Sequence, residues 1–222
     1  MGKESAERIQ TSILSKAEKK ALVWLAQRQP EWMTSDTLTY IGVLGTVVYA
    51  IGGWLSNTDI RYLWLSSFGL VLHWYGDSRN TQRPIYGFFI DHTLDAVTTC
   101  LIFLGAGLSP MFRMDVALAA LAGYLSLSIY TYVCTIVKEE FCLTYGKLGP
   151  TEFRLLLILL NILYMYTSWS EWRINWYGLE WGIFDILGII ITIILFSIYI
   201  AQFIKDRAAF AKQDPLKPHN KR

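Results

Sequence analysis

The chain holds only three cysteines, Cys100, Cys134 and Cys142. An odd number without C-x-x-C or Cys/His spacing argues against a disulfide framework and against a zinc or iron–sulfur site, so these thiols are expected to be small core residues. Glycine-rich phosphate loops and nucleophile elbows are absent, which removes the nucleotide-cradling and serine-hydrolase classes built on them. Charged residues make up only 17% of the sequence, and the basic residues near its end are dispersed, so no nucleic-acid partner is expected. No internal repeat is visible. No cleavable signal is expected, because the first long apolar run follows mixed charged sequence without a small-residue cleavage site. Ala6 stands where a myristoylation pattern at Gly2 needs Ser or Thr.

What is plentiful is apolar and aromatic. Hydrophobic residues are 53% of 222, with nine Trp and thirteen Tyr, and the mean hydropathy is +0.32. That composition predicts an all-α integral membrane protein. A crossing helix needs roughly 20 apolar residues, and uncharged length predicts six spans: Thr37 to Thr58, Tyr62 to Gly76, Pro84 to Phe112, Val116 to Val137, Leu155 to Ser170 and Ile186 to Ile204. Before them, Lys3 to Gln29 reads as an amphipathic helix, with Ile9, Ile13, Ala17, Ala21 and Trp24 on one face and basic residues elsewhere, suited to an anionic membrane surface. The expected organisation is therefore a surface helix over 1–33, a six-span domain over 34–204 and a basic tail over 205–222. Of the twenty Lys and Arg, six spans put seventeen on the side of the termini and leave Arg61, Arg113 and Arg173 opposite. The positive-inside rule then makes both termini of this multi-pass protein cytoplasmic.

One stretch departs from this bland pattern. His73 to Asp95 reads HWYGDSRNTQRPIYGFFIDHTLD. If the chain is helical from Pro84, the four-residue spacing of Gly87, Asp91 and Asp95 puts two carboxylates on one stripe. No charge follows them until Arg113, so they stand near or inside a membrane, where ionisable groups are expensive and mark function by default. His73 lies four residues before Asp77 and either pairs with that carboxylate or sits at the interface. Pro150 and Glu152 read as capping devices of the fifth span, and Asp185 opens the sixth in the same way. The Trp and Tyr cluster from Trp169 to Trp181 reads as an interfacial aromatic belt.

Gly87-x-x-x-Asp91-x-x-x-Asp95 is the second half of the signature Asp-x-x-Asp-Gly-x-x-Ala-Arg…Gly-x-x-x-Asp-x-x-x-Asp, and here the chain resembles the CDP-alcohol phosphotransferases. Leu38-Thr39-x-x-Gly42 at the first span, the six-span layout and Gly149-Pro150-Thr151-Glu152 before the fifth extend the similarity over nearly the whole chain. Asp91-His92 resembles the choline and ethanolamine phosphotransferase branch in particular. The first half of the signature is incomplete. Counting back from Gly87 puts Gly69, Leu72 and His73 on its positions. Aligning on Gly76-Asp77-Ser78 gives Asp77 the first Asp, leaves Asn80-Thr81 for Asp-Gly, and requires a deletion of about eight residues between Ser78 and Arg79. The second register is favoured, because Leu72 to Ser78 and Arg83-Pro84-x-Tyr86-Gly87 both look familial.

The resemblance implies transfer of a phospho-alcohol or phosphatidyl group from a CDP-linked donor to the hydroxyl of a lipid or small-alcohol acceptor, with release of CMP, in phospholipid synthesis. It implies Mg²⁺ or Mn²⁺ as cofactor, Asp77 and Asp91 as metal ligands, Asp95 as general base, and a homodimer. Gly87, Arg79, Arg83 and Asn80 are the substrate-binding candidates; Arg79 and Arg83 read equally as positive-inside anchors. With one bridging carboxylate missing, weak binding of a single ion is expected. The alternative is a catalytically weak or silent relative that binds a lipid or a partner.

Overall fold

The computed structural model describes residues 8–9, 14–30, 32–78, 84–138, 141–142 and 149–215, with the side chains at 8, 9, 84, 88, 91, 141 and 142 outside that description. Helices dominate. They are α1 (Ser15–Ala26), α2 (Ser35–Leu55), α3 (Leu63–Gly76), α4 (Pro84–Leu108), α5 (Met114–Lys138), α6 (Pro150–Tyr166) and α7 (Ile183–Gln213). Two short strand pairs join them: β1 (Arg8–Ile9) lies parallel to β2 (Phe141–Cys142), and β3 (Arg173–Trp176) forms an antiparallel hairpin with β4 (Leu179–Gly182).

A helix thus stands in each expected span, and four of the helices, α2, α4, α5 and α7, are long and apolar enough to cross a membrane. Helix α3 has 14 residues and α6 has 17, about 21 and 25 Å at 1.5 Å per residue, short of a hydrocarbon layer of roughly 30 Å. Helix α6 begins before Leu155 because Pro150 opens it and Glu152 Oε2 accepts from Gly149 N at 2.9 Å. Asp185 caps α7 likewise, accepting from Gly182 N at 2.8 Å and from Arg113 N at 2.7 Å. Helix α7 continues past Ile204 to Gln213, into residues expected to form a tail.

The N-terminal expectation needs correction. Ile9 is in a strand paired with Cys142, not on a helical face, and the described helix starts only at Ser15. Leu14 N donates to Glu152 Oε1 at 2.8 Å, which fixes that start from outside the segment. Cys100 and Cys134 are half-buried and in no disulfide.

Helices α2 and α3 form the most intimate pair in the bundle. A Cβ at Gly45 would stand 2.5 Å from His73 N, and one at Gly69 would stand 2.4 Å from Tyr49 N, so two backbones touch where only glycine fits. Ser66 Oγ donates to Tyr49 O at 3.0 Å across the same seam. Tyr49, Leu70, Ile102, Leu157, Leu160 and Phe184 are among the buried residues that join α2, α3, α4, α6 and α7 in one core. Asn161 in α6 donates to Ser67 Oγ of α3 at 3.0 Å. At the end of the bundle where α5 and α7 finish, α5 is tied to α7 by Lys138 Nζ to Asp206 Oδ2 at 2.7 Å, with Tyr130 OH also donating to that carboxylate. At the other end, the β3–β4 turn has Tyr177 at φ 52° and Gly178 at φ 73°, the mark of a two-residue primed turn.

Candidate functional site

A small polar cleft lies at the end of the bundle where α2, α4 and α6 begin and α3 ends. Thr39, Gly42 and Val43 of α2, His73 and Asp77 from the end of α3, and Leu94, Asp95 and Thr98 of α4 line it. It encloses about 10 Å³, room for a single water-sized body. Asp77 arrives there as the C-cap of α3, held close to α2 because a Cβ at Gly76 would meet Gly42 Cα at 2.7 Å. Asp95 arrives from three turns into α4 and is exposed. Carboxylates from two different helices therefore face one space.

An ion pair at the cleft comes from Arg154 of α6, which reads from sequence only as one more basic residue. Arg154 Nη1 donates to Asp77 Oδ2 at 2.6 Å, and Arg154 Nη2 lies 3.1 Å from His73 Nε2. Only 8% of Arg154 is exposed. Guanidinium groups only donate, so His73 Nε2 must accept. The imidazole is then neutral, with its proton on Nδ1, which faces Gly42 O at 3.2 Å. One chain of hydrogen bonds thus runs from α2 through α3 to α6 and back to Asp77. Helix α6 presents Arg154 inward because Thr151, Arg154, Leu157, Leu160, Asn161 and Tyr164 recur at helical spacing on its buried face. That periodicity was the signal available in the sequence, and the Arg154 charge masked it.

The N-terminal segment borders the same region. Gln29 Nε2 donates to Ser78 O at 2.9 Å and lies 2.7 Å from Ser78 Oγ. Thr151 OH donates to Glu18. The start of α6 and the end of α3, on either side of the cleft, are both tied to the segment containing α1.

Of the residues singled out in the sequence, the structure brings Asp77, His73 and Asp95 together. Gly87 lies on α4 with nothing within 4 Å of a Cβ built there. Asp91 is in α4, but its side chain is outside the described residues, as are Arg79, Asn80 and Arg83. His92 makes an edge contact with Tyr132, ring centres 5.6 Å apart. Among the described residues no group of three or more His, Cys, Asp or Glu side chains has the arrangement of a metal site. Carboxylate oxygens are what a hard cation such as Mg²⁺ takes. Here, however, the described donor set is two carboxylates with a guanidinium already bonded to one of them. That set does not fit a pair of divalent cations.

Helical architecture, four membrane-length apolar helices and a polar cleft at one end define the class: an integral membrane protein with an acidic site between helix ends. No protein-family model matches the chain. It is similar to cholinephosphotransferase 1 of Danio rerio, 26% identical over 188 residues, covering 75% of this chain and 48% of that protein. It is similar also to cholinephosphotransferase 1 of Gallus gallus, 24% identical over 189 residues, covering 75% of this chain and 54% of that one. The chain spans about half the length of the curated relatives it matches. These are weak homologues from a transferase family, and the similarity agrees with the family resemblance carried by Gly87, Asp91 and Asp95.

Proposed function

We propose that the chain is a multi-pass membrane protein of phospholipid synthesis, built to transfer a phospho-alcohol group from a CDP-linked donor to an acceptor hydroxyl. The observation that carries this reading is the meeting of Asp77 and Asp95 in one cleft, in a chain similar to two cholinephosphotransferases. Asp95 is the general base. The acceptor oxygen forms a bond to the donor phosphorus, its proton passes to an Asp95 oxygen, and the bond to the CMP oxygen breaks, so that CMP leaves with the electron pair. The cleft is too small to enclose a nucleotide, so the donor lies across its mouth. Gly87 leaves open space on α4 for that approach. Both short helices cross the membrane in this reading, with the termini and the cleft on the cytoplasmic side.

Turnover by this chain is slow, because the segment Asp-Gly-x-x-Ala-Arg is missing after Ser78 and charge on the departing phosphate is poorly stabilised. A second reading, a silent relative that binds lipid or a protein partner, is favoured by one observation, the grip of Arg154 on Asp77. Release of CMP by purified protein, given a CDP-alcohol and a lipid acceptor, separates the two.

A further inference from the structure

We infer that Arg154 is the resident cation of the cleft: its guanidinium takes the place of a divalent ion at Asp77, so that the chain as it stands holds no Mg²⁺ or Mn²⁺ through that carboxylate. Three features support this. Asp77 Oδ2 is in a charge-assisted hydrogen bond with Arg154 Nη1 at 2.6 Å, and an ion bound to that oxygen would have to displace the donor. Arg154 is not a swinging arm: its second nitrogen is against His73 Nε2 at 3.1 Å, His73 is anchored to Gly42 O at 3.2 Å, and the side chain is nine-tenths buried. The guanidinium carries its positive charge on a rigid planar fork, which these two contacts keep beside Asp77. A divalent ion beside Asp77 would therefore meet a positive charge held in place by a largely buried side chain.

The arrangement also says what removal of Arg154 does. Taking the guanidinium from this part-buried ion pair leaves the Asp77 charge without its partner there. Asp77 would then look for another cation, and Asp95 lines the same cleft. Arg154→Gln keeps hydrogen-bonding capacity and loses the charge, so it turns a blocked cleft into a cation site. The inference rests on the proposed function only for the identity of the ion.

The test is Mn²⁺ binding, read from the loss of the free-ion paramagnetic resonance signal, with the full chain in nanodiscs. Circular dichroism and size-exclusion chromatography check the fold of each variant. Wild type and Asp77→Asn should bind Mn²⁺ equally weakly, Arg154→Gln should bind at least ten-fold tighter, and Arg154→Gln with Asp77→Asn should lose that gain. Wild-type binding that Asp77→Asn removes would overturn the inference, and so would a folded Arg154→Gln with no gain. If Arg154→Gln fails to fold, the comparison of wild type with Asp77→Asn decides alone. CMP release plays no part in these readings: the expected Mn²⁺ pattern without CMP release removes the proposed enzyme and leaves the resident cation in place.

Discussion

Substituting Gly45 by alanine tests whether the α2–α3 seam holds the site in position. The added methyl would lie 2.5 Å from His73 N, 2.7 Å from Gly69 O and 3.0 Å from His73 Cα, where ordinary contact begins at 3.4 Å. All three are backbone or backbone-attached atoms, so no rotamer relieves the clash, and the helices have to part by roughly 0.9 Å. Overpacking of this kind costs about 1–3 kcal/mol, offset by the ~1 kcal/mol by which alanine is the better helix former. A net loss of up to about 2 kcal/mol is expected. Gly87→Ala is the control: it adds the same methyl to a helix with nothing within 4 Å, so only the propensity gain of ~1 kcal/mol applies. Thermal unfolding in detergent micelles, followed by tryptophan fluorescence and helical circular dichroism, should rank Gly87→Ala at or above wild type and Gly45→Ala below it. The two variants unfolding at the same temperature would refute the close backbone approach. The seam also carries His73, so Gly45→Ala should loosen the His73–Arg154 contact and reproduce part of the Mn²⁺ gain of Arg154→Gln.

Tyr177 is at φ 52°, a left-handed conformation costing about 1–2 kcal/mol for a bulky residue. Tyr177→Asn, suited to the first position of a primed turn, should raise the unfolding midpoint; a lower midpoint would mean that the exposed ring contributes more than the strain costs. Both termini should be cytoplasmic: in inverted vesicles a cysteine added at the C-terminus should react with an impermeant thiol reagent, and one at Asn57 in the α2–α3 connection should not. Equal protection of both would remove the six-crossing topology.

The helices were legible because apolar length is a direct physical requirement of crossing a bilayer. The helical register of Gly87, Asp91 and Asp95 was legible because four-residue spacing on a helix has one geometric meaning, and Pro84–Leu108 is a helix, with the Asp91 side chain outside the described residues. Glu152 and Asp185 were readable as caps from their place after a glycine and before an apolar run, and both act so. The start of α1 was not readable, since a strand pairing with β2 and a hydrogen bond to Glu152, both distant in sequence, decide it. The β3–β4 hairpin was hidden because Tyr-Gly stands where Asn-Gly would announce the turn, and its aromatics read as a membrane belt. Arg154 reads from sequence as one more anchor charge, because tertiary packing alone brings it to Asp77. His73 had two readings from sequence; the structure buries it between Gly42 and Arg154.

Whether the cleft is that of a CDP-alcohol phosphotransferase is tested most directly by repairing it. Insertion of the missing Asp-Gly-x-x-Ala-Arg segment after Ser78 restores the electrostatic stabilisation of the leaving group, and removing one such stabiliser typically costs about 10²–10³ in rate. The measurement is release of labelled CMP from CDP-choline or CDP-ethanolamine, with a diacylglycerol acceptor and Mn²⁺, by wild-type, inserted, and inserted Asp95→Asn protein in nanodiscs. The account predicts slow but measurable release by wild type, a rise of about 10²–10³ on insertion, and loss of that rise with Asp95→Asn. No rise on insertion, or a rise that survives Asp95→Asn, would contradict it.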